Sequence, residues 1–249
     1  MRLLSAFLFY LLLHSPLAAA PNQGEMLCEP PLLAMTYNIH LDSSAEGANS
    51  WAKRKHFLIG QIVTMRPHIL GLQEVLSNQQ DDLKAALAEY DFIGAGRDDG
   101  KSAGEASPLI IDRHIFRISA SGTFWLSPTP SVPSMGWDAA FKRIASWAHI
   151  KRRSDGAKLL VVNSHWDHIG LVARKESGAQ ILDWIARNRL KGEQVVLMGD
   201  LNADDAEESV AQLARPATGR DPLVDTRRAA ANGNFCPQCG ASKADFGEM

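Results

Sequence analysis

The chain has 249 residues, of which 45% are hydrophobic, and a formal net charge of −2 at pH 7. This length and apolar content can supply the buried core of one sizeable domain. Proteins dedicated to binding nucleic-acid backbone usually carry a basic excess, so the charge balance argues against a stable nucleic-acid complex as the main role.

The first twenty residues have the three-part pattern of a secretory signal peptide. Arg2 precedes an apolar run from Leu3 to Leu13, Pro16 interrupts it, and three alanines close the segment. The run is too short to cross a bilayer comfortably. We therefore expect residues 1–20 to be removed and the mature protein to be an exported monomer, periplasmic or secreted, without a transmembrane segment. An uncleaved tether is the alternative.

The first half of the mature chain alternates predicted strands and helices. Apolar runs and helical periodicity predict, in order, a strand at Leu32–Ile39, a helix at Trp51–Met65, a strand at Ile69–Gln73, a helix at Asn78–Tyr90 and a short strand at Phe92–Gly94. The two longer strands run into polar residues, Asn38 in the first and Glu74 after the second. Sites in layered α/β folds gather at strand ends, so both residues are candidates for a site.

A glycine-rich loop, GRDDGKSAGEASP, separates this half from three short predicted strands. The strands are Leu109–Ile111, Ile115–Ser119 and Thr123–Leu126, followed by a proline-rich loop at Ser127–Gly136. Residues 100–104 match the GxSxG pattern of serine hydrolases, but no strand leads into them and no histidine follows residue 168. A nucleophile elbow needs both features, so we reject a serine hydrolase.

The second half predicts two further strand ends of the same kind. Its elements are a hairpin of Ile144–Lys151 with Lys158–His165, a helix at Leu171–Leu190, a buried strand at Val195–Met198 and a short helix at Ala206–Ala214. The hairpin ends near His165, Asp167 and His168, and the buried strand leads to Asp200 and Asn202. A solvated strand end would explain any one of these groups, whereas four polar ends together indicate a site.

The residues at these strand ends predict metal-assisted chemistry on a phosphoester. Carboxylate and amide oxygens without thiolates suit a hard cation such as Mg²⁺ or Mn²⁺. A histidine beside the cation can donate to a phosphoryl oxygen, and a second carboxylate can orient the attacking water. The residues alone leave both diester and monoester substrates open.

A set of motifs in a fixed order carries a resemblance to a known family. They are MTYNIH, LQEV, GRDDG with GEASPLI, TFWLSPTP, GWDAAFKRIASWA, NSHWDHIG with ARKES, and LMGDLNAD. In this order they resemble the endonuclease/exonuclease/phosphatase superfamily, and most of all its exported bacterial hydrolases. The resemblance implies an α/β fold of the α+β type, a four-layer sandwich of two mixed β-sheets flanked by helices, over residues 30–226. It also implies a phosphorylated substrate: a small phosphoester, a phospholipid head group or nucleic acid.

The resemblance implies roles for the residues at the strand ends. Glu74 resembles the direct Mg²⁺ ligand of the family, and Asn38 resembles its neighbour in the metal site. Asp200 resembles the residue that orients or activates water, and Asn202 resembles a contact to the phosphate and the metal shell. His165 resembles the histidine that stabilises the phosphoryl charge.

Four further residues are implied to face the substrate. Arg97 and Arg143 resemble contacts to the phosphate, with a structural salt bridge as the alternative for Arg143. Asp167 and His168 resemble substrate-side residues, and the alternative for both is a structural cap of the following helix.

The resemblance fades after Thr226. The family normally closes with an Asp-His pair that supplies a second catalytic histidine, but residues 227–249 contain neither a histidine nor an apolar strand. We therefore expect C-terminal strands to be missing, a divergent and disordered tail over 227–249, and impaired hydrolysis in a truncated or frame-altered product. The alternative is a non-catalytic secreted binding protein on the same fold. For Cys28, Cys236 and Cys239 we expect a local disulfide or free thiols.

Overall fold

The computed structural model describes residues 32–217 and 220–231. The predicted signal peptide, all three cysteines and residues 232–249 of the predicted tail lie outside this part of the chain. Within it, no helix is long and apolar enough to cross a membrane.

The elements alternate along the chain much as the sequence predicts. The strands are β1 Ala34–Asn38, β2 Ile69–Gln73, β3 Tyr90–Ile93, β4 Leu109–Asp112, β5 Phe116–Trp125, β6 Ile144–Arg152, β7 Lys158–His165 and β8 Glu193–Asp200. The helices are α1 Trp51–Met65, α2 Ser77–Ala86, α3 Leu171–Asn188, α4 Glu208–Ala214 and α5 Thr226–Ala231, with a 3₁₀ segment at Ser44–Asn49. Helix α5 runs across the domain boundary that was predicted at residue 226.

The strands form two mixed sheets of four. The first has the order β1-β2-β4-β3 and the second β5-β6-β7-β8. Only β1 with β2 and β7 with β8 are parallel pairs, and the other neighbours are antiparallel. The sheets face each other, with β1 and β2 against β7 and β8, and β3 and β4 against β6. This architecture confirms the predicted α/β fold of two mixed sheets flanked by helices.

Apolar helix faces cover the outer side of each sheet. Leu58 and Ile62 of α1 and Leu83 of α2 are buried in one cluster with residues of β2 and β4. Ile181 and Leu182 of α3 are buried in another cluster with residues of β5, β6 and β7. These residues recur at helical spacing in the sequence, which is why the periodicity locates the helices and their inner faces.

A polar bridge lies between the two sheets. Asn163 of β7 is fully buried, and its amide nitrogen donates to the backbone oxygens of Leu72 and Pro108 at 2.8 and 2.9 Å. Its amide oxygen accepts from Nε2 of Gln73 at 2.8 Å. A Cβ at Gly71 would lie 2.6 Å from the amide oxygen of Asn163, so glycine at this position leaves room for the bridge.

The largest differences from the predicted elements are at the second helix and at β5, and the other predicted ends agree within about two residues. The second helix ends at Ala86 instead of Tyr90, because Leu87 leaves the helical conformation and Tyr90 starts β3. The two strands predicted within residues 115–126 are one strand, β5, which pairs along almost its whole length with β6 through an irregularity between Ile118 and Ala120. A bulge absorbs the misfit of this small, polar stretch, so pairing with a long neighbour outweighs local propensity.

Candidate active site

The topology brings four predicted strand ends to one edge of the sandwich. In the parallel pair β1–β2, Asn38 lies opposite Gln73, the residue before Glu74. In the parallel pair β7–β8, His165 lies opposite Asp200. Parallel neighbours end at the same edge of a sheet, and a hydrogen bond from Asn38 to Asp200 joins the two edges.

Asn38 bridges the two carboxylates. Its amide nitrogen donates to Oε1 of Glu74 at 2.8 Å and to Oδ2 of Asp200 at 2.9 Å. Its amide oxygen accepts from the backbone N–H of His40 at 3.0 Å. Both hydrogens of the amide are therefore used, and they hold acidic groups from two different sheets next to each other.

Glu74 is fixed in a backbone conformation that few residues other than glycine adopt. Its φ of 62° lies in the left-handed region. Its Oε2 accepts from the backbone N–H of Leu41 at 3.0 Å and lies 3.1 Å from Nδ1 of His40. Burial alone would raise the pKa of this carboxyl, but the hydrogen bonds from Asn38 and Leu41 and the nearby histidines outweigh it, so the pKa is lowered. Glu74 is thus a carboxylate at neutral pH.

The donors around Asn38 suit a hard divalent cation. Among the described residues, no group of three or more His, Cys, Asp and Glu side chains is placed to hold a metal by itself. Mg²⁺, however, is usually held by one or two carboxylates and completes its octahedron with water and a phosphate. Glu74 and Asp200 supply two such carboxylates, and the amide nitrogen of Asn38 holds them next to each other.

His165 and Asn202 form the other side of the site. The amide nitrogen of Asn202 donates to the backbone oxygen of Trp166 at 3.0 Å and lies 2.9 Å from Nε2 of His165. Because an amide nitrogen can only donate, Nε2 accepts and the hydrogen of a neutral imidazole sits on Nδ1. Burial, reinforced by the Arg143 guanidinium, lowers the pKa of His165 to about 4, so the ring is neutral at pH 7.

The segment that follows β8 aims Asp200 and Asn202 at this histidine. The backbone N–H of Asn202, at a φ of 48°, donates to Oδ1 of Asp200 at 3.0 Å. The other oxygen of Asp200 lies 3.8 Å from Nε2 of His165. Gly199 has a φ of 144°, and a Cβ there would come within 2.0 Å of the backbone oxygen of Ser164. Glycine is therefore needed where the two strands approach the site.

A narrow polar pocket with almost no free volume lies beside His165. Its lining residues are Arg97, Glu105, Ser107, Lys142, Arg143, Ile144 and His165. Arg97 forms a two-pronged ion pair with Glu105, with N–O distances of 2.7 and 2.9 Å. Burial raises the pKa of Glu105, although Arg97 pulls it in the other direction. The guanidinium groups of Arg97 and Arg143 both line the pocket, and guanidinium groups are suited to holding a phosphate.

Asp167 acts on the pocket through Arg143. It is fully buried, and its Oδ2 accepts from Nε of Arg143 at 3.2 Å. Its Oδ1 accepts from the backbone of Ile169 and Gly170 at 3.0 and 2.8 Å. Arg143 also donates through Nη2 to Nδ1 of His168 at 3.0 Å. Asp167 and His168 therefore hold the Arg143 guanidinium in place, and Asp167 additionally ties down the start of α3.

Burial alone would raise the pKa of Asp167. The hydrogen bonds from backbone N–H groups, including those of Gly170 and Ile169, and from Arg143 outweigh that effect and hold the pKa well below its usual range. The carboxylate therefore stays charged beside Arg143 throughout the neutral range.

The structure adds three residues that sequence reasoning did not single out. Glu105 and Lys142 line the pocket, and Nδ1 of His165 lies 4.0 Å from Oε2 of Glu105. His40 contacts Glu74. Glu105 and Lys142 lie in loops, where no apolar run marks a strand end, although the GEASPLI and GWDAAFKRIASWA motifs contain them.

The sequence matches the model of the endonuclease/exonuclease/phosphatase family over residues 35–228, well over half of the chain. The chain belongs to this family. The match confirms the resemblance of the motifs to this superfamily, and the family's solved members with a similar fold include phosphoester hydrolases.

Family members of known structure share the fold at moderate identity. An endonuclease/exonuclease/phosphatase family protein from Bacteroides thetaiotaomicron is 38% identical with a TM-score of 0.69, over 72% of this chain and 66% of that one. The mannosyl-6-phosphatase Bt3783 of the same species is also 38% identical with a TM-score of 0.70, over 72% of this chain and 68% of that one.

One curated relative is more distant. The uncharacterized protein L388 of Acanthamoeba polyphaga mimivirus is 27% identical over 162 residues, which are 62% of this chain and 60% of that protein. The chain thus spans 60% of the length of this curated relative and 66% of the first Bacteroides protein.

Proposed function

We propose that this chain hydrolyses phosphoester bonds with the help of a divalent cation, Mg²⁺ or alternatively Mn²⁺. The observation that carries the proposal is the convergence of Asn38, Glu74, His165 and Asp200 at one edge of two sheets. His165 also lines a pocket with two guanidinium groups, each of which is paired with a carboxylate. Membership of a family whose solved relatives include phosphoester hydrolases supports the same reaction.

Each side chain has a role that its contacts permit. Glu74 and Asp200 would hold the cation, which when bound supplies a positive charge against the phosphoryl oxygens. Asp200, whose Oδ2 faces His165, would also accept a hydrogen bond from the attacking water and orient it. His165 would donate to a phosphoryl oxygen whose charge grows in the transition state.

The remaining polar residues would position the phosphate. Arg97 and Arg143 are buried and held by Glu105 and Asp167, so their free N–H groups are fixed before a ligand arrives. Asn202, held against the backbone of Trp166, would keep the imidazole oriented. Fixed donors lose little freedom on binding, which favours their use in a transition state.

A small phosphorylated compound is the substrate class we favour. One of the solved structures that are 38% identical to this chain is a mannosyl-6-phosphatase, and the net charge of −2 gives no general attraction for a polyanion. A phospholipid head group or a nucleic-acid end would also present a phosphate group to the pocket.

Turnover on a panel of substrates tests this proposal. Sugar phosphates, nucleotides, bis-p-nitrophenyl phosphate, phospholipid vesicles and single-stranded DNA would each be incubated with the protein in Mg²⁺ and in excess chelator. Hydrolysis of at least one substrate, abolished by chelator, is the expected result. Binding without turnover of any substrate would instead support a binding protein on the same fold, and chelator-insensitive turnover would exclude the metal role.

Export is also proposed from the sequence alone. The charged, apolar and small-residue zones of residues 1–20 are the reason. Fractionation of an expressing bacterium, with N-terminal sequencing of the product, would show the mature protein outside the cytoplasm. A cytoplasmic product with residues 1–20 intact would contradict export.

A further inference from the structure

Phe141 is a half-exposed aromatic side chain next to the polar pocket. Its side chain is 48% exposed. The next two residues, Lys142 and Arg143, line the pocket together with His165. The guanidinium carbon of Arg97, another lining residue, lies 4.9 Å from the centroid of the Phe141 ring. The ring therefore adjoins the place where a phosphate would bind.

The ring is held in place although half of it faces solvent. The backbone N–H of Phe141 donates to Oδ2 of the buried Asp167 at 3.3 Å. The imidazole of His168 stacks on the ring with centroids 5.9 Å apart and planes 16° apart. The Arg97 contact is of the cation–π type, which favours a fixed guanidinium–ring pair.

The loop that carries Phe141 is itself tied to the start of α3. Asp138 accepts from the backbone N–H groups of Val172 and Ala173 at 3.2 and 2.6 Å. A Cβ at Gly170 would come within 2.5 Å of Asp138, so this contact is close. The loop is therefore held at two points, at Asp138 ahead of Phe141 and at the backbone N–H of Phe141.

We propose that Phe141 is the platform for the part of the substrate that carries the phosphate, and that this part is a ring with a flat, weakly polar face. A pyranose and a nucleobase are the two sources of such a face. Scattered exposed apolar residues need no function, but an aromatic ring already held by Arg97 and His168 loses little entropy when a substrate ring stacks on its exposed part. This inference rests on the proposed function, since it assumes that the pocket takes the phosphate.

Binding measurements without turnover test the platform directly. Dissociation constants for glucose 6-phosphate, adenosine 5′-monophosphate and glycerol phosphate would be measured by calorimetry in chelator. We expect at least one ring-bearing phosphate to bind about tenfold more tightly than glycerol phosphate, as stacking of one ring provides. The ring-bearing compound that shows the gain identifies the source of the face.

Variants assign that gain to the aromatic ring. Phe141→Ala should lower the affinity for the ring-bearing compound at least fivefold more than the affinity for glycerol phosphate. Phe141→Trp should restore the preference for the ring-bearing compound. Phe57→Ala is the matched control, because Phe57 is 71% exposed on α1, and it should change no affinity. Thermal unfolding of each variant establishes that the fold is intact.

Several outcomes would overturn the platform. These are equal affinity of the wild-type protein for all three compounds, no binding of any of them, or equal weakening of all three by Phe141→Ala, which would place its role in holding Arg97. The proposed hydrolysis is judged separately, by phosphate release in Mg²⁺. A selective loss in Phe141→Ala without turnover in the wild type would uphold the platform and remove the catalytic proposal.

Discussion

At the scale of single residues, most of the site was visible in the sequence. Asn38, Glu74 and Asp200 each end or follow an apolar run, so their position at a strand end could be predicted, and the structure brings all three together. Glu105 could not be predicted in the same way because it lies in a glycine-rich loop. Its place beside His165 depends on how that loop folds over the sheet edge.

The residue-scale prediction concerns the proposed metal ligand Glu74. Glu74→Gln keeps the shape of the side chain and removes the charge, so Mg²⁺ affinity should fall about tenfold or more, since Mg²⁺ is held mainly by charged oxygens. The hydrogen bond from Leu41 to the side chain can persist in the variant. Titration calorimetry with Mg²⁺ measures the change.

A matched control is Glu89→Gln. Glu89 is a largely exposed carboxylate that pairs with Arg66 at 3.6 Å, and its replacement should leave Mg²⁺ affinity unchanged. Equal affinity in the wild type and Glu74→Gln would show that Glu74 is a strand end without a metal role.

At the scale of elements, periodicity located strands and helices but not all of their ends. Helix α1 and strand β2 begin and end as predicted, because Pro67 and the polar residue Glu74 bound them. Strand β5 was predicted as two pieces, since Ser119, Ser121 and Gly122 have low strand propensity. Its pairing with β6 is a tertiary effect that local sequence does not contain.

The element-scale prediction concerns the bridge between the sheets. Asn163→Ala removes the donor to Leu72 and Pro108 and the acceptor for Gln73, and it leaves all three groups buried without that partner. Unsatisfied buried groups cost about 1–3 kcal/mol each, less where another partner remains. We expect the free energy of unfolding to fall by about 3 kcal/mol or more, measured by urea denaturation.

Asn78→Ala serves as the control for this prediction. Asn78 is exposed on α2 and donates to Asp42, so its replacement should change the free energy of unfolding by about 0.5 kcal/mol or less. A similar loss of unfolding free energy in the two variants would mean that the hydrogen bonds of Asn163 do not stabilise the packing of the two sheets.

At the scale of the whole molecule, the fold was implied by the resemblance of the ordered motifs to a known family. The two four-stranded mixed sheets and their outer helices confirm that prediction. The order of strands within each sheet, and which sheet edges meet at Asn38 and Asp200, came only from the structure. Register across a sandwich depends on packing of both sheets, which no single stretch of sequence encodes.

The whole-molecule prediction concerns the dependence of stability on pH through Asp167. Hydrogen bonds hold its pKa in the folded state below the ordinary value of 3.8. As the pH falls, the Asp167 carboxylate is therefore protonated in the unfolded chain before it is protonated in the folded chain. The stabilisation of the fold by this carboxylate is present above pH 3.8 and is lost progressively below it. Asp167→Asn should cost about 3 kcal/mol at pH 7, because it leaves Arg143 buried without its counter-charge.

The same variant should become less harmful in acid. The difference in unfolding free energy between the wild type and Asp167→Asn should shrink as the pH falls from 5 towards 3, measured by urea denaturation at each pH. Asp91→Asn is the control, since Asp91 forms an exposed pair with Arg113 worth about 1 kcal/mol or less. A difference that is constant with pH would contradict the assigned direction of the pKa shift.

The most direct test of the central claim uses the substrate of the panel that the wild type hydrolyses best. Its hydrolysis by the wild type and by Asp200→Asn is measured, each in Mg²⁺ and in excess chelator. Because Asp200 is proposed both to hold the cation and to orient the water, we expect turnover only in the wild type with Mg²⁺. The variant should be slower by about 10²-fold or more. Turnover that survives the chelator, or a variant as fast as the wild type, would contradict a metal-assisted phosphoester hydrolase at this site.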